Sequence, residues 1–373
     1  MTGRRRMLLS AAKAAANAAE QRFDRLRFEA KRRLGLLDPF EVLPYRGYGT
    51  QRELFLKGRV LEERGITRSS QHASVWDNLR NMARRFASDE VPGARVRASF
   101  KGHEAETRAD EEGFFDVRLE LAEPLTGPAG WHPVELEFLY PPSPRRGPVC
   151  STGQVLVPAG ARFAVVSDID DTVVRSSATN ALKMAWIVLL NNAHTRLPFA
   201  GVNVFYEALQ RGAEGRDLNP IFYVSSSPWN IYDLLEDFLD VHGVPAGPLF
   251  LKDWSLSVLG KHRTHKLGII RRLLSTYPDL PFVLIGDSGE EDPEIYLQTV
   301  REHPGRIRAI YIRDVTSDER DAEVQAIARE ARSLGTEMVP VTDTAAAAEH
   351  AASIGLIAPD AVAGIRSQSS VSA

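Results

Sequence analysis

The sequence of 373 residues predicts an α/β protein whose C-terminal half is a doubly wound parallel-sheet domain. From Arg162 onward, short apolar segments alternate with helical patterns, which is typical of a parallel sheet. The first apolar segment, 163–166, is too short for a helix and indicates a strand buried on both faces. Three acids and a threonine follow within 168–172. Chemistry in an open α/β sheet collects at that end of the strands.

The acids after this strand predict a metal-dependent site. Side chains alternate along an extended strand, so Asp168 and Asp170 are expected to point the same way. Two neighbouring carboxylates repel each other unless a cation neutralises them. Mg²⁺ is the hard, oxygen-binding cation that suits such a pair. The alternative is a polar strand end or a helix cap without chemistry.

Four segments in order resemble the motifs of the haloacid dehalogenase superfamily of phosphotransferases. They are Asp168–Thr172, Ile221–Ser225, Lys266 with its neighbours, and Gly286–Asp292. The longer sequence of these motifs, with Ser167 before the first segment and Ser-Ser-Pro-Trp after the second, is similar to a narrower family. This family comprises the Mg²⁺-dependent phosphatidate phosphatases of the actin-patch-protein type and their bacterial relatives. The resemblance covers roughly residues 162–314 and implies a Rossmann-like, haloacid dehalogenase-like catalytic domain.

The resemblance assigns catalytic roles to residues of the first segment. It implies that Asp168 is the nucleophile, which forms an aspartyl-phosphate. Asp170 would protonate the leaving alcohol and then activate water, and Thr172 would orient Asp170. An acid at the position of Asp170 is typical of phosphoryl transfer and argues against dehalogenase activity. Asp171 fits the narrower family, but we assign it no step.

The resemblance also names residues that hold the metal and the phosphate. Mg²⁺ would bind a carboxylate oxygen of Asp168, the backbone carbonyl of Asp170, and Asp287, a short ligand list that suits this ion. Ser225 would donate its hydroxyl and backbone N–H to a phosphate oxygen. Lys266 would contact the phosphate and take part in catalysis. A lysine in the first turn of a helix opposes the helix dipole, and such local conflict is expected of a functional residue.

The second acid of the fourth motif, Asp292, is expected to position Lys266. Glu290 and Glu291 are the alternatives for that supporting role. Interpretations without a functional role stay open for two residues. Lys266 could be a solvent-exposed lysine, and Ser225 could be a serine that only ends a strand.

Composition limits the class of protein and its location. Apolar residues at 43% and charged residues at 25% are ordinary for a globular protein with a sizeable core. The single cysteine, Cys150, excludes an internal disulfide framework and favours a reducing compartment. No apolar run reaches the roughly 18–20 residues of a membrane span, and the N-terminus makes a poor signal peptide. We expect a cytoplasmic protein that is peripheral at the inner membrane surface if its basic N-terminal helix binds lipid.

Changes in amino-acid composition and hydrophobic periodicity along the chain predict four parts. They are a basic N-terminal helix within 1–39, a small antiparallel β-sandwich over 40–158, the phosphatase domain over 159–345, and a C-terminal helix with a disordered tail over 346–373. In the second part, alternating polar and apolar residues predict strands at 54–61, 94–100, 114–121 and 134–139, with a helix around 74–86. In the third, further strands are predicted at 221–225, 249–252, 282–286 and 307–312, with an edge strand at 337–341. The Ser-rich end after Gly364 is expected to be disordered.

Two predicted helices have alternative interpretations. The helix at 4–34 carries ten basic and three acidic residues. It is an interfacial helix drawn to anionic lipid, a helix docked on its own protein, or a nucleic-acid-binding arm. The helix around 178–193 is apolar nearly all round, which favours a buried helix. Its place directly after the nucleophile strand, where this superfamily inserts cap elements, favours a lid or lipid-contacting helix.

The predicted function is Mg²⁺-dependent hydrolysis of a phosphomonoester through an aspartyl-phosphate, with phosphatidate cleaved to diacylglycerol and phosphate. One alternative is a phosphatase for a soluble phosphomonoester. Another is a membrane-adaptor module whose phosphatase site is vestigial, although all of Asp168, Asp170, Ser225, Lys266 and Asp287 are present. An anionic membrane surface is the expected partner of 4–34, and no nucleic-acid partner is expected.

Deletion of residues 1–34 tests the membrane prediction. Each Lys or Arg near an anionic surface contributes roughly 1 kcal/mol, so the truncated protein should sediment less with anionic vesicles and show a weaker salt dependence. Turnover of a small soluble phosphomonoester should not change, because the predicted site lies in the C-terminal half. Equal vesicle binding by the two proteins would show that this helix has no membrane role.

Overall fold

The computed structural model of the protein describes residues 28–62, 90–144, 147–169, 201–252, 262–315 and 318–370. Of the predicted helix at 4–34, residues 28–34 are described, and they are helical. The predicted helices around 74–86 and 178–193 lie outside the described residues. The chain divides into two compact units, one within Met1–Leu125 and Trp131–Val155, the other within Thr126–Gly130 and Leu156–Ala373. The predicted four-part division stays a prediction.

The first unit is built on a sheet of eight strands. Its strands are β1 (Phe40–Pro44), β2 (Gly47–Gly49), β3 (Glu53–Glu62), β4 (Arg95–Phe100), β5 (His103–Arg108), β6 (Phe114–Glu120), β7 (Gly130–Tyr140) and β8 (Val149–Val157). Hydrogen bonds join them in the order β1-β3-β2-β8-β7-β4-β5, with β6 paired to β3. Because one continuous sheet can still fold back on itself, the predicted small β-sandwich stays a prediction.

The four strands predicted in this unit are present as β3, β4, β6 and β7. Lys101 and Gly102 form the turn between the antiparallel strands β4 and β5, and both have positive φ angles, 48° and 84°. The sequence analysis did not predict β1, β2, β5 and β8. In β5, half-buried residues alternate with exposed ones and none is fully buried. A strand without apolar periodicity gives no hydrophobic signal to detect.

The second unit contains a six-stranded sheet in which every adjacent pair is parallel. Its strands are β9 (Ala164–Asp168), β10 (Ile221–Pro228), β11 (Leu249–Lys252), β12 (Phe282–Asp287), β13 (Ile307–Arg313) and β14 (Glu337–Val341). The order is β11-β10-β9-β12-β13-β14, so the chain builds outward from β9 first to one side and then to the other. The strand order therefore reverses beside β9, and ligands bind at such a switch point in open α/β sheets.

Helices occupy the connections of this sheet. They are α1 (Val202–Arg211), α2 (Tyr232–Val241), α3 (His262–Thr276), α4 (Asp292–Glu302), α5 (Asp318–Ser333), α6 (Thr344–Ser353) and α7 (Ala361–Ser370), with a 3-10 turn at Trp229–Ile231. All five later strands predicted from the sequence are present, the edge strand included. Assignment of this unit to the haloacid dehalogenase-like fold stays a prediction. Among the described residues, no helix has the length and apolar content that a bilayer span requires.

The centre of the parallel sheet is buried, as its apolar sequence predicts. Ala164, Val165 and Val166 of β9 are completely inaccessible to solvent, although successive side chains point to opposite faces. The first strand is therefore covered on both faces. A polar side chain at its carboxyl end is consequently drawn into a largely dry environment.

The prediction of a disordered end after Gly364 is wrong for residues 365–370, because Ala361–Ser370 forms α7, and residues 371–373 lie outside the described part of the chain. Low hydrophobicity suggested disorder, but one apolar residue anchors the helix: Ile365 is completely buried. Arg366 adds an ion pair with Glu349 of α6.

Substitution of Ile365 by alanine tests this anchor. Loss of a buried isoleucine side chain typically costs about 2–5 kcal/mol, so Ile365→Ala should lower the free energy of unfolding within that range. Val362→Ala in the same helix is the control, because Val362 is only partly buried and should cost much less. Chemical denaturation of the two variants measures the difference, and equal losses would contradict the anchoring role.

Candidate active site

Three neighbouring strands bring predicted site residues to one edge of the parallel sheet. Asp168 ends β9, Ser225 lies in the C-terminal half of β10, and Asp287 ends β12. The register pairs Val224 with Asp168, and Ile285 with Ser167, so all three site residues stand at the carboxyl edge. This is the place where ligands bind in open α/β sheets.

A buried lysine lies at the centre of this edge. Lys266, in the first turns of α3, has a side chain that is only 4% exposed. Its Nζ lies 3.2 Å from Asp168 Oδ1 and 3.5 Å from Glu290 Oε2, and it donates a hydrogen bond to Asp292 Oδ1. The contact predicted between Asp292 and Lys266 is present, and Glu290 shares the role, whereas Glu291 is exposed. One ammonium thus faces three carboxylates.

The charges of this cluster control one another. Burial lowers the pKa of Lys266, but the carboxylates of Asp168 and Asp292 outweigh burial, so the pKa lies well above its usual value. Lys266 therefore stays protonated. Burial raises the pKa of Asp292, an effect that Lys266 opposes and Asp168 reinforces. The pKa of Asp292 lies well above its usual value, so its carboxylate depends on the ammonium of Lys266 for its charge.

The loop Gly286–Asp292 is folded around its own acids. Asp287 Oδ1 accepts hydrogen bonds from the backbone N–H groups of Gly289, at 2.6 Å, and Glu290, at 3.0 Å. The backbone N–H of Asp287 donates to Asp292 Oδ2 at 3.3 Å. A Cβ atom on Gly286 would overlap with Oδ2 and the side-chain carbons of Asp292. Glycine is therefore required at 286 so that Asp292 can reach Lys266.

Asp168 meets the requirements of a group that reacts with a ligand. Its side chain is 2% exposed, and neither carboxylate oxygen accepts a hydrogen bond from any part of the chain that the structure describes. A buried carboxylate is costly unless hydrogen bonds or charges satisfy it. Besides the nearby ammonium of Lys266, the remaining capacity of these oxygens is available to a cation or a phosphorus centre.

The residues present fit a Mg²⁺ ion. Asp168 and Asp287 line the same cavity of about 70 Å³, and two carboxylates with space for water are the environment that this ion prefers. The carboxylate oxygens of Asp168, Glu290 and Asp292 also lie within 4.8 Å of one another. That group encloses the ammonium of Lys266, so we assign it to the lysine and not to a metal.

Of the remaining predicted site residues, one is described by the structure and three lie outside the described range. Asp170, Asp171 and Thr172 belong to 170–200, which the structure does not describe. Ser225 is completely buried, and its Oγ accepts a hydrogen bond from the backbone N–H of Ser227 at 2.9 Å. The roles inferred for these residues stay predictions.

Sequence reasoning missed a hydroxyl pair behind Asp168. Ser167 Oγ donates to the carbonyl oxygen of Asp168 at 3.0 Å and lies 2.6 Å from Tyr206 OH. Burial raises the pKa of Tyr206 to about 12, so the phenol keeps its proton and donates to Ser167. The pair fixes the backbone that carries Asp168. Its one sequence signal is a serine inside a strand that is otherwise apolar.

The segment that holds this site matches a known catalytic domain. Residues 163–314 match the family described as phosphatidate phosphatase APP1, catalytic domain. The matched segment contains every site residue named above and is similar to a catalytic domain of the phosphatase class.

Two curated relatives share this segment. Over 155 residues, the chain is 32% identical to phosphatidate phosphatase APP1 of Saccharomyces cerevisiae. The alignment covers 40% of this chain and 26% of the yeast protein. It is 29% identical over 162 residues to an uncharacterized protein of Schizosaccharomyces pombe, with 42% and 26% covered. The alignments therefore span about a quarter of the length of each relative.

Among solved structures, a carbohydrate acetylesterase from Xanthomonas citri aligns with 79% of this chain and 66% of its own, at 12% identity. Its TM-score of 0.28 is too low to support an argument about fold or function.

Substitution of Gly286 by alanine tests the packing of the site. The added methyl group must displace Asp292, so we expect Gly286→Ala to cost about 1–3 kcal/mol, the usual range for overpacking, and to reduce activity strongly. Gly268→Ala is the matched control: Gly268 is exposed in α3 with nothing near its Cβ position, and alanine there should stabilise by about 1 kcal/mol. Denaturation and turnover of both variants provide the measurement, and a neutral Gly286→Ala would contradict the close contact.

Proposed function

We propose that the chain is a Mg²⁺-dependent phosphatase that hydrolyses phosphatidate to diacylglycerol and phosphate through an aspartyl-phosphate. The observation that carries this proposal is the buried carboxylate of Asp168, 3.2 Å from the ammonium of Lys266 and without a hydrogen-bond donor among the described residues. The match of residues 163–314 to a phosphatidate phosphatase catalytic domain supports it. The resemblance of four ordered motifs to haloacid dehalogenase phosphotransferases supports the covalent route.

In the first half-reaction, a carboxylate oxygen of Asp168 attacks phosphorus, and the ester bond between phosphorus and the alcohol oxygen breaks. The leaving oxygen takes a proton from Asp170, in the role that the resemblance gives this residue. Lys266 stays protonated, so its ammonium offsets charge on Asp168 and on an incoming phosphate. In the second half-reaction, Asp170 removes a proton from water, which attacks phosphorus and releases phosphate and the free carboxylate.

Asp168, Asp287 and the backbone carbonyl of Asp170 would hold the Mg²⁺ ion. When bound there, the ion would offset the repulsion between a carboxylate nucleophile and an anionic phosphate. The two bonds from backbone N–H groups to Asp287 fix the orientation of its carboxylate before metal binds. This preorganisation is valuable because Mg²⁺ tolerates little deviation from octahedral geometry.

The choice of phosphatidate rests on the matched family. The cavity of about 70 Å³ beside Asp168 has space for a few water-sized groups. In this proposal the phosphate headgroup enters the site while the acyl chains remain at an interface, with the basic residues of 4–34 as the proposed contact to an anionic surface. A phosphatase for a soluble phosphomonoester and an adaptor with a vestigial site are the competing proposals.

Substitution of Asp168 by asparagine tests the nucleophile. Asp168→Asn keeps the shape of the side chain and removes its charge, so phosphate release from mixed micelles of phosphatidate should fall by at least about 10³-fold, comparable with the loss of other catalytic nucleophiles. Asp116→Asn, at an exposed position of β6, is the matched control and should retain full activity. Substantial residual turnover in Asp168→Asn would contradict this assignment.

The same assay against a panel of soluble phosphomonoesters separates the competing functions. Faster turnover of a soluble ester than of phosphatidate would replace the proposed substrate, and no turnover of any ester would favour the adaptor.

Removal of metal tests the cofactor. A chelator should abolish phosphate release, and added Mg²⁺ should restore it. Ca²⁺ should restore it poorly, because its longer bonds and higher coordination number misplace the phosphate relative to Asp168. Full activity in excess chelator would contradict the Mg²⁺ requirement.

A further inference from the structure

One arginine outside the matched segment reaches into the loop of the proposed metal site. Arg320 lies in the first turn of α5, beyond residue 314, where the family match ends. Its side chain is 22% exposed, and its guanidinium contacts the loop Gly286–Asp292 and the helix that follows it. None of the motifs considered in the sequence includes it.

All five N–H donors of Arg320 are engaged. Nε donates to the carbonyl oxygen of Ser288 at 3.1 Å, and Nη2 donates to that of Glu290 at 3.0 Å. Nη1 and Nη2 also form a two-pronged pair with the carboxylate of Glu294 in α4, at 2.7 and 2.9 Å. The fifth donor binds Glu323 at 2.9 Å. Such a planar fork fixes several acceptors in one geometry.

These contacts hold the same stretch of backbone, 288–290, that binds Asp287. The peptide between Ser288 and Gly289 presents its oxygen to Arg320 and its N–H to Asp287 Oδ1. The N–H of Glu290 also binds Asp287 Oδ1, and the carbonyl of Glu290 binds Arg320. Hydrogen bonds through one peptide polarise each other, so the guanidinium strengthens the Gly289 donor, and its bond to the carbonyl of Glu290 holds the residue that supplies the second donor.

We propose that Arg320 is a positioning residue for the proposed metal site, which it serves by holding the backbone that orients the Asp287 carboxylate. This inference rests on the proposed function, since it takes Asp287 as a metal ligand. Outer partners of metal ligands typically contribute about 10–100-fold to metal affinity or activity. Arg320 should therefore act on metal affinity, and on turnover only through the bound metal.

A merely structural role would look different, and the chain offers a matched control. Arg301 of α4 pairs with Glu330 of α5, so it links the same two helices as the pair between Arg320 and Glu294. Its partner Glu330 lies on α5 and not in the loop. Arg301→Ala should therefore cost some stability without a change in metal affinity.

The experiment measures binding of Mn²⁺, a hard divalent ion that replaces Mg²⁺, through the electron paramagnetic resonance signal of the free ion, with the full-length protein and no substrate. Arg320→Ala and Arg320→Lys should both weaken Mn²⁺ binding by about 10–100-fold. Lysine keeps the charge but lacks the fork that reaches both carbonyl groups. Turnover should need a correspondingly higher Mg²⁺ concentration, with kcat at saturating Mg²⁺ close to that of the wild type. Circular dichroism melts confirm that each variant is folded.

Each outcome decides the inference. Wild-type affinity for Mn²⁺ in Arg320→Lys, or equal weakening in Arg301→Ala, would overturn it while leaving the proposed function intact. A wild-type protein that binds no Mn²⁺ would overturn both. Weakened binding in the Arg320 variants alone supports it, even if phosphatidate proves not to be the substrate.

Discussion

The buried ammonium of Lys266 among three carboxylates is the interaction on which the proposed site depends. Each buried charge costs several kcal/mol in lost hydration, and only close pairing offsets that cost. Lys266 therefore requires Asp168 and Asp292 close by, and these two buried acids in turn require Lys266, whereas the partly exposed Glu290 adds a longer contact. This mutual dependence fixes the end of β9, the start of α3 and the loop after β12 relative to one another. Removal of one partner from such a group typically costs about 3–5 kcal/mol.

The residues around this cluster hold its acidic groups in position. Gly286 lacks a side chain because Asp292 fills the space beside it. Asp287 accepts two backbone hydrogen bonds, and the proposed role of Arg320 is to hold the peptides that donate them. Ser167 and Tyr206 fix the backbone behind Asp168. The groups that would react are thus held by partners that are themselves hydrogen-bonded, which is the condition for metal and phosphate chemistry at a fixed geometry.

Short-range patterns predicted much of this arrangement. The buried strands of the parallel sheet are marked by apolar runs, whereas the contact between Lys266 and Asp292 was expected from the resemblance to a known superfamily. Strand β5 was not predicted because it buries no residue fully. Helix α7 was not predicted because its composition is polar and a single isoleucine anchors it. Tyr206 and Arg320 were missed because each is far in sequence from the residue that it contacts. Tyr206 lies 39 residues from Ser167, and Arg320 lies 32 residues from Ser288. Such pairings depend on how helices pack, and the local sequence does not encode that.

Trapping of the covalent intermediate tests the central proposal most directly. Rapid acid quench of the enzyme with phosphatidate that is ³²P-labelled in its headgroup should leave radioactivity on the peptide that contains Asp168. The label should be stable to acid and released by hydroxylamine, as is expected of an acyl phosphate, and it should be absent from Asp168→Asn. Turnover of labelled phosphatidate without label on that peptide at any quench time, or label on a different residue, would contradict the account.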